Sequence, residues 1–400
     1  MKASLPLPVV PDDYSLPSTL EDLKKARAIV EGSPWWKLWE FLRPFFLERG
    51  YILYKTSYSY LYMASPLHRI PSAADSFTLY GDRSNFIRYF EPSPIVFAAR
   101  DSKNRDVVIK VVAKGREGNN ELRILQLLQS EPLKSHSDKA TIQVLEFLHY
   151  EDWVFAVMPA LDNCDQFPFM TVDEILDFGE QLFSALAFLH VHCIAHLDVA
   201  YENTVMNHTG TVHDEENFRS SFPVRYSLID FGWSEYAPQN GPGSGYLRSP
   251  LHDRRPTAAP ESTSRPFDPY AADVWQASRL LYSAVFECID EIPGLLSLFQ
   301  DMTRWLPSHR PSMAEALLRL RDIRSEMRAK HPEPMYQLRD FVSYGTPVVP
   351  LRYWTTAIDG LRTSDFKFVC QFVFHFRKEL LCSAWNGLHA FLNKMRSRAC

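Results

Sequence analysis

The chain lacks any apolar run of about eighteen residues, the length a bilayer-spanning helix needs, so no transmembrane segment is expected. Its opening stretch, MKASLPLPVVPDD, has no apolar core of signal-peptide length. It is poor in cysteine, with 6 in 400 residues. Cys164, Cys193, Cys288, Cys370, Cys382 and Cys400 show neither a CxxC pair nor a Cys/His metal spacing. A chain of this length needs no disulfide staples, so these read as reduced thiols of an intracellular protein, cytoplasmic or nuclear. Positive charge is not in excess: the formal net charge is -5, and the basic residues gather into no long patch, which argues against a nucleic-acid partner. Glycine is scarce as well. Its one cluster, Gly241-Pro242-Gly243-Ser244-Gly245, neither follows an expected strand nor opens a helix, which excludes a phosphate-cradling loop there.

What is present is enough for sizeable cores, with 46% apolar residues. The length exceeds the usual size of one compact domain. Residues 1–17 read as a loose, proline-rich arm, and Ser18-Thr19-Leu20-Glu21 has the form of a capping box before a helix on which Leu20, Leu23, Ile29 and Val30 share a face. From Trp35 to Tyr62 aromatic residues crowd together. They suit a helical extension packed on the next domain, or alternatively an anchor for a partner or membrane surface. Strands are expected over residues 86–90, 95–100, 107–112, 142–150 and 153–158, with helices over residues 117–129 and 173–192. Strands first and helices later describe a small α+β lobe followed by a helical one. In residues 333–400, Phe366, Phe368, Phe372, Phe374 and Phe376 alternate as in a strand, while Phe366, Val369, Val373 and Arg377 suit a helix; length favours helix.

Several segments carry chemistry-bearing residues in a telling order. Val107-Val108-Ile109-Lys110-Val111-Val112 places a lysine on a strand, and Glu121 follows on a helix. Alone, such a lysine is an ordinary edge residue and such a glutamate is surface decoration. Downstream, residues 181–190 lead through Ile194-Ala195-His196-Leu197-Asp198 to Asn203, and Leu228-Ile229-Asp230-Phe231-Gly232 comes next. Then follow Ala258-Ala259-Pro260-Glu261, Asp273-Val274-Trp275 and Leu306-Pro307-Ser308-His309-Arg310-Pro311-Ser312.

These segments resemble, in order, the VAIK strand, catalytic loop (HRDLxxxN), DFG, APE, DVW and DPxxRPS motifs of eukaryotic protein kinases. The departures described below are similar to those of divergent kinase-like families of fungi. The resemblance covers roughly residues 85–330. It implies an α+β bilobal protein-kinase-like fold with a β-rich N-lobe over residues 85–158 and a helical C-lobe over residues 162–330. Extensions over residues 1–84 and 331–400, partly helical and helical respectively, would flank it. It further implies ATP and Mg2+ as cofactors, because phosphoryl transfer needs held phosphates, neutralised charge and an aimed nucleophile. By that resemblance Lys110 meets the phosphates and Glu121 aligns it. The adenine lies at a hinge near Met158 and Leu161, Asn203 and Asp230 hold magnesium, and Asp198 receives or orients the substrate hydroxyl. The resemblance also implies an ion pair between Arg310 and Glu261, and Asp273 bracing the catalytic-loop backbone.

Other positions depart from the family. The glycine-rich loop would fall on Tyr89-Phe90-Glu91-Pro92-Ser93-Pro94, where two prolines remove amide donors and Glu91 adds like charge. Leu197 replaces the arginine that reads a phosphate on the activation segment, and Ala200 replaces a lysine that steadies the transferred group. An insertion around residues 208–222, with Asp214, Glu215 and Glu216, reads as a solvated loop. Three functions follow. The leading one is a divergent Ser/Thr protein kinase acting on a protein substrate. The others are a pseudokinase serving as nucleotide-binding module or scaffold for a partner, and a small-molecule phosphotransferase.

Overall fold

The computed structural model describes residues 15–25, 36–56, 63–64, 78–81, 89–90, 93–136, 140–165, 169–210, 218–251, 258–263, 265–285 and 288–331. The chain divides into two compact units. The first is Met1–Ser137, Thr141–Cys164 and Val205–Gly232; the second is Asp138–Ala140, Asp165–Thr204 and Trp233–Cys400. Residues 86–88 of the strand expected over 86–90, the acidic centre of the insertion and nearly all of the C-terminal extension lie outside the described residues.

The first unit is built on an antiparallel five-stranded sheet of β1 (Ile52–Leu53), β2 (Val96–Arg100), β3 (Asp106–Lys114), β4 (Glu146–Tyr150) and β5 (Trp153–Pro159), in the order β1-β2-β3-β5-β4. β3 is rich in β-branched residues, which suit a pleated buried surface, and its burial is nearly continuous, as a central strand requires. The β2–β3 connection is shaped by Asp101, whose carboxylate accepts the amides of Lys103 and Arg105 at 3.0 and 2.8 Å.

One face of the sheet is covered by an N-terminal helix. A short helix, α1 (Leu20–Lys25), precedes it, with Thr19 rather than Ser18 accepting the Asp22 amide at 2.9 Å. In α2 (Lys37–Glu48), Leu38, Trp39, Leu42 and Phe46 are buried in the same core as Phe97, Ile109, Phe155 and Val157 of the sheet. The Trp39 ring lies 5.1 Å from Phe97 and 6.1 Å from Phe155, spacings at which aromatic pairs attract. The described aromatics of this stretch are therefore largely core residues, the packed-extension alternative of the sequence reading.

Helix α3 (Asn119–Gln129) starts two residues later than expected, after a left-handed Gly118. It buries Glu121, Ile124, Leu125 and Leu128, a stripe at helical spacing, and leaves Leu122 half-buried. The ends of the insertion are packed rather than solvated, which corrects that expectation. Phe218 is buried against His208, with ring centroids 4.8 Å apart, and buried Arg219 donates to the Cys164 carbonyl at 2.7 Å. The reason is local: Phe218 and Phe222 pack against each other and against His208, contacts that the acidic centre hides from a composition-based reading.

The described residues of the second unit are mostly helical: α4 (Val172–Val191), α5 (Pro269–Val285), α6 (Leu295–Met302) and α7 (Met313–Lys330). Thr171 caps α4 by accepting the Glu174 amide at 3.2 Å, and Ser312 with Glu315 forms a capping box on α7. Helix α5 is buried on every side. Along one flank Arg324 of α7 reaches Asp173, Asp177 and Glu180 of α4 at 3.1, 2.7 and 2.8 Å. Cys164 and Cys288 are buried and Cys193 half-buried, all as free thiols. Among the described residues no helix is long and apolar enough to cross a membrane.

Candidate active site

The first unit assembles a cation between two acids. Lys110 sits mid-strand in β3, paired with Val96 on one side and Ala156 on the other, so its backbone has no freedom to drift. Its Nζ meets Glu121 Oε1 at 2.5 Å and Asp230 Oδ1 at 2.8 Å. Burial alone would drive the ammonium toward neutrality, but the two carboxylates outweigh it, so its pKa lies above the ordinary lysine value. Burial raises the Glu121 pKa, which Lys110 opposes and Asp230 reinforces. The stable arrangement is a charged lysine shared by two anions. Glu121 is sealed away, whereas the Asp230 side chain is 42% exposed and has an open edge.

Local backbone geometry presents that edge. Asp230 takes a left-handed conformation at φ 63°, unusual for a residue with a Cβ, and its Oδ1 also accepts the Gly232 amide at 3.1 Å. Phe231 beside it is fully buried. Of the two residues expected at the hinge, Met158 is buried near the end of β5, and half-buried Leu161 follows the strand. Residues 91–92, within the expected phosphate loop, lie outside the described residues. Pro94 is held from the N-terminal helix, because the Trp39 indole donates to its carbonyl at 3.0 Å in a buried contact. That tie was not legible in the sequence.

The second unit assembles the catalytic-loop segment. Asn203 Nδ2 donates to both the carbonyl and Oδ2 of Asp198, at 2.8 and 2.6 Å. The expected brace is present: Asp273 accepts the amides of His196 and Leu197, each at 2.7 Å, and His190 Nε2 lies 3.0 Å from it. Leu197 points into an apolar cluster with Phe267, Tyr270 and Trp275. A pairing of Ile194–Ala195 with Glu235–Tyr236 holds the segment after Gly232 in place. There Glu235 takes the Tyr246 hydroxyl at 2.9 Å and Arg248 Nε at 2.8 Å. Gly243 and Gly245 supply the left-handed turns between them, both at φ 78°.

The expected Arg310–Glu261 pair forms with contacts of 2.7 and 3.0 Å. The residues that the sequence reading missed are polar side chains braced on backbone: Gln276 spans the catalytic loop, and Tyr201 hydrogen-bonds to the Leu280 carbonyl. The only available signal was the recurrence of positions 273, 276, 280 and 283 on one face of a helix.

The donor set suits magnesium. Among the described residues no cluster of three or more His, Cys, Asp or Glu could hold a metal, but in phosphoryl-transfer sites the ion takes one or two protein oxygens and completes its octahedron with phosphate and water. The half-exposed Asp230 carboxylate is an oxygen donor of the kind such an ion takes.

The family model of the protein kinase domain matches residues 93–289. The chain is 22% identical over 260 residues to Serine/threonine-protein kinase ULK3 of Xenopus laevis, covering 62% of this chain and 51% of that protein. It is 25% identical over 257 residues to its Rattus norvegicus counterpart, covering 62% and 50%. It is also 26% identical over 187 residues to Serine/threonine-protein kinase SIK1 of Mus musculus, covering 45% and 21%. The chain thus spans about half the length of the ULK3 relatives it matches.

Proposed function

Because the chain belongs to the eukaryotic protein-kinase-like family, we propose that it is a divergent protein kinase that transfers the γ-phosphoryl group of ATP to Ser or Thr hydroxyls of a protein. The observation that carries this reading is the buried ammonium of Lys110 held between Glu121 and Asp230. A phosphate-binding lysine needs a fixed position and a charge that burial cannot remove, and the two carboxylates supply both here. In this reading Glu121 keeps Lys110 on the phosphates, and Met158 and Leu161 flank the adenine. Asp230 and Asn203 supply oxygens for Mg2+, which when bound offsets charge on the transferring group. Asp198, steadied by Asn203, orients the incoming hydroxyl and receives its proton.

The test is Mg-ATP turnover on a generic protein substrate in wild type and in Asp198→Asn. Turnover that disappears in the variant supports the kinase. Equal turnover in the two proteins, nil included, sinks it. Nucleotide affinity measured with and without magnesium adds a separate readout of Asn203 and Asp230.

A pseudokinase that binds nucleotide or scaffolds a partner is the second reading. It is favoured by the anchored Pro94 and by Ala200, whose methyl group offers no charge to the transferring phosphoryl. A small-molecule phosphotransferase ranks third, because such enzymes lack the APE, DVW and RPS segments found here.

A further inference from the structure

One stripe of α5 grips the catalytic loop at successive positions. Asp273, Gln276, Leu280 and Ser283 recur at helical spacing, so they share a face. Asp273 takes the amides of His196 and Leu197. Further along, the Tyr201 hydroxyl donates to the Leu280 carbonyl at 3.1 Å and lies 2.9 Å from Ser283 Oγ. Between them stands Gln276, buried, with both ends of its carboxamide engaged. Its Oε1 accepts the Val199 amide at 3.1 Å, and its Nε2 donates to the Leu197 carbonyl at 3.1 Å.

Those two peptide groups flank Asp198. Leu197 is left-handed at φ 65°, a conformation that a branched residue keeps only when its surroundings impose it. Here the surroundings are explicit: Asp273 holds its N–H, Gln276 holds its C=O, and its side chain is packed in apolar company. The requirement is specific to an amide, since the site needs one acceptor and one donor on a single planar group. A carboxylate supplies only acceptors, and a serine hydroxyl is too short to span both peptides.

We propose that Gln276 is a positioning residue for Asp198. Its carboxamide fixes the two peptide groups on either side of the aspartate, so that α5 sets the aim of Asp198 without any contact from a phosphorylated segment. The proposal rests on the kinase reading for its effect on turnover, but not for its effect on the loop.

Two variants test it, Gln276→Leu, which keeps the approximate volume and removes both hydrogen bonds, and Gln276→Glu, which keeps only the acceptor. Amide hydrogen exchange and steady-state kinetics are measured on the full chain. In Gln276→Leu the Val199 amide should lose protection while the Leu197 amide, still held by Asp273, keeps it. kcat should fall about 10- to 100-fold, as expected of a misaimed catalytic group, with the ATP KM within about twofold of wild type. In Gln276→Glu the Val199 amide should stay protected and kcat should fall less. Unchanged exchange at Val199 in Gln276→Leu, or unchanged kcat in an active protein, would overturn the proposal. If Gln276→Leu does not fold, a Gln276→Glu variant with wild-type kcat overturns it equally. If wild type shows no turnover at all, the kinase reading fails and the exchange data alone decide the positioning role.

Discussion

Arg310 and Glu261 meet fork to fork, with contacts of 2.7 and 3.0 Å and both side chains only 1% exposed. The same guanidinium donates to the carbonyls of Ala271 and Arg304, each at 2.8 Å, and lies over the Trp275 ring at 5.0 Å. Four of the five guanidinium N–H donors are therefore in use. Removing one partner strands a charge in the interior, so Arg310→Ala or Glu261→Ala should each cost about 3–5 kcal/mol of stability. Chemical denaturation of the two single variants and the double variant checks this. The double variant should be less damaged than the two losses added together, because the stranded charge is gone.

Lys110→Met leaves Glu121 buried without its cation. Turnover should fall at least about 100-fold, the scale of losing one preorganised charged contact, and stability should drop by about 3 kcal/mol. Because an uncompensated buried carboxylate has a raised folded-state pKa, the variant's missing stability should return as pH falls and Glu121 takes up a proton. Adding Glu121→Gln should restore stability but not turnover. Thermal melts at two pH values and Mg-ATP assays separate the two effects.

Gly118 links the lysine strand to the helix carrying Glu121. At φ 76°, a Cβ there would lie 2.1 Å from the Val112 carbonyl oxygen, a backbone atom that cannot swing aside. Gly118→Ala should destabilise the first unit by about 1–3 kcal/mol through strain. It should also lower kcat by moving Glu121 relative to Lys110. A denaturant midpoint and a kinetic assay measure both.

The α4–α7 flank should weaken in acid. Burial opposes ionisation of Asp173, but hydrogen bonds from Arg328 and Arg324 outweigh it and hold its pKa at about 2, below the 3.8 of an unperturbed aspartate. A carboxyl with a depressed folded pKa stabilises fully above its unfolded value and loses that contribution as pH falls through the folded one. Stability should therefore decline between roughly pH 4 and pH 2, the interval between these two pKa values. With 44% of the side chain exposed, the contribution is screened to about 1 kcal/mol and should shrink in high salt. Asp173→Asn should flatten this part of the pH–stability curve at neutral-pH cost of similar size.

The order of motifs was legible in the sequence because each pairs a rare residue with a local pattern: Lys110 in a valine-rich strand, Asp198 and Asn203 after a long helix, Asp230 beside Phe231. Residues whose role lies in distant backbone were not. Gln276 reads as one more polar residue on a helix until the peptides flanking Asp198 are brought to it. Trp39 gives no sign in sequence that its indole will seek the Pro94 carbonyl. The aromatic stretch suited either a packed extension or an anchor for a partner or membrane surface, and gave no sign that it would close one face of the sheet. Charge in the insertion masked the apolar ends that pack.

Leu197 makes an arginine at its position difficult to accommodate. Its side chain fills a niche among Phe267, Tyr270 and Trp275 and is 4% exposed. Restoring an arginine at this position would force a guanidinium into that niche or tear the left-handed turn open to let it out, and burying an unpaired charge is among the most destabilising single changes. A single substitution at this position therefore cannot supply a phosphate-reading group. The apolar cluster would first have to be hollowed out, weakening the protein before any such group could be housed.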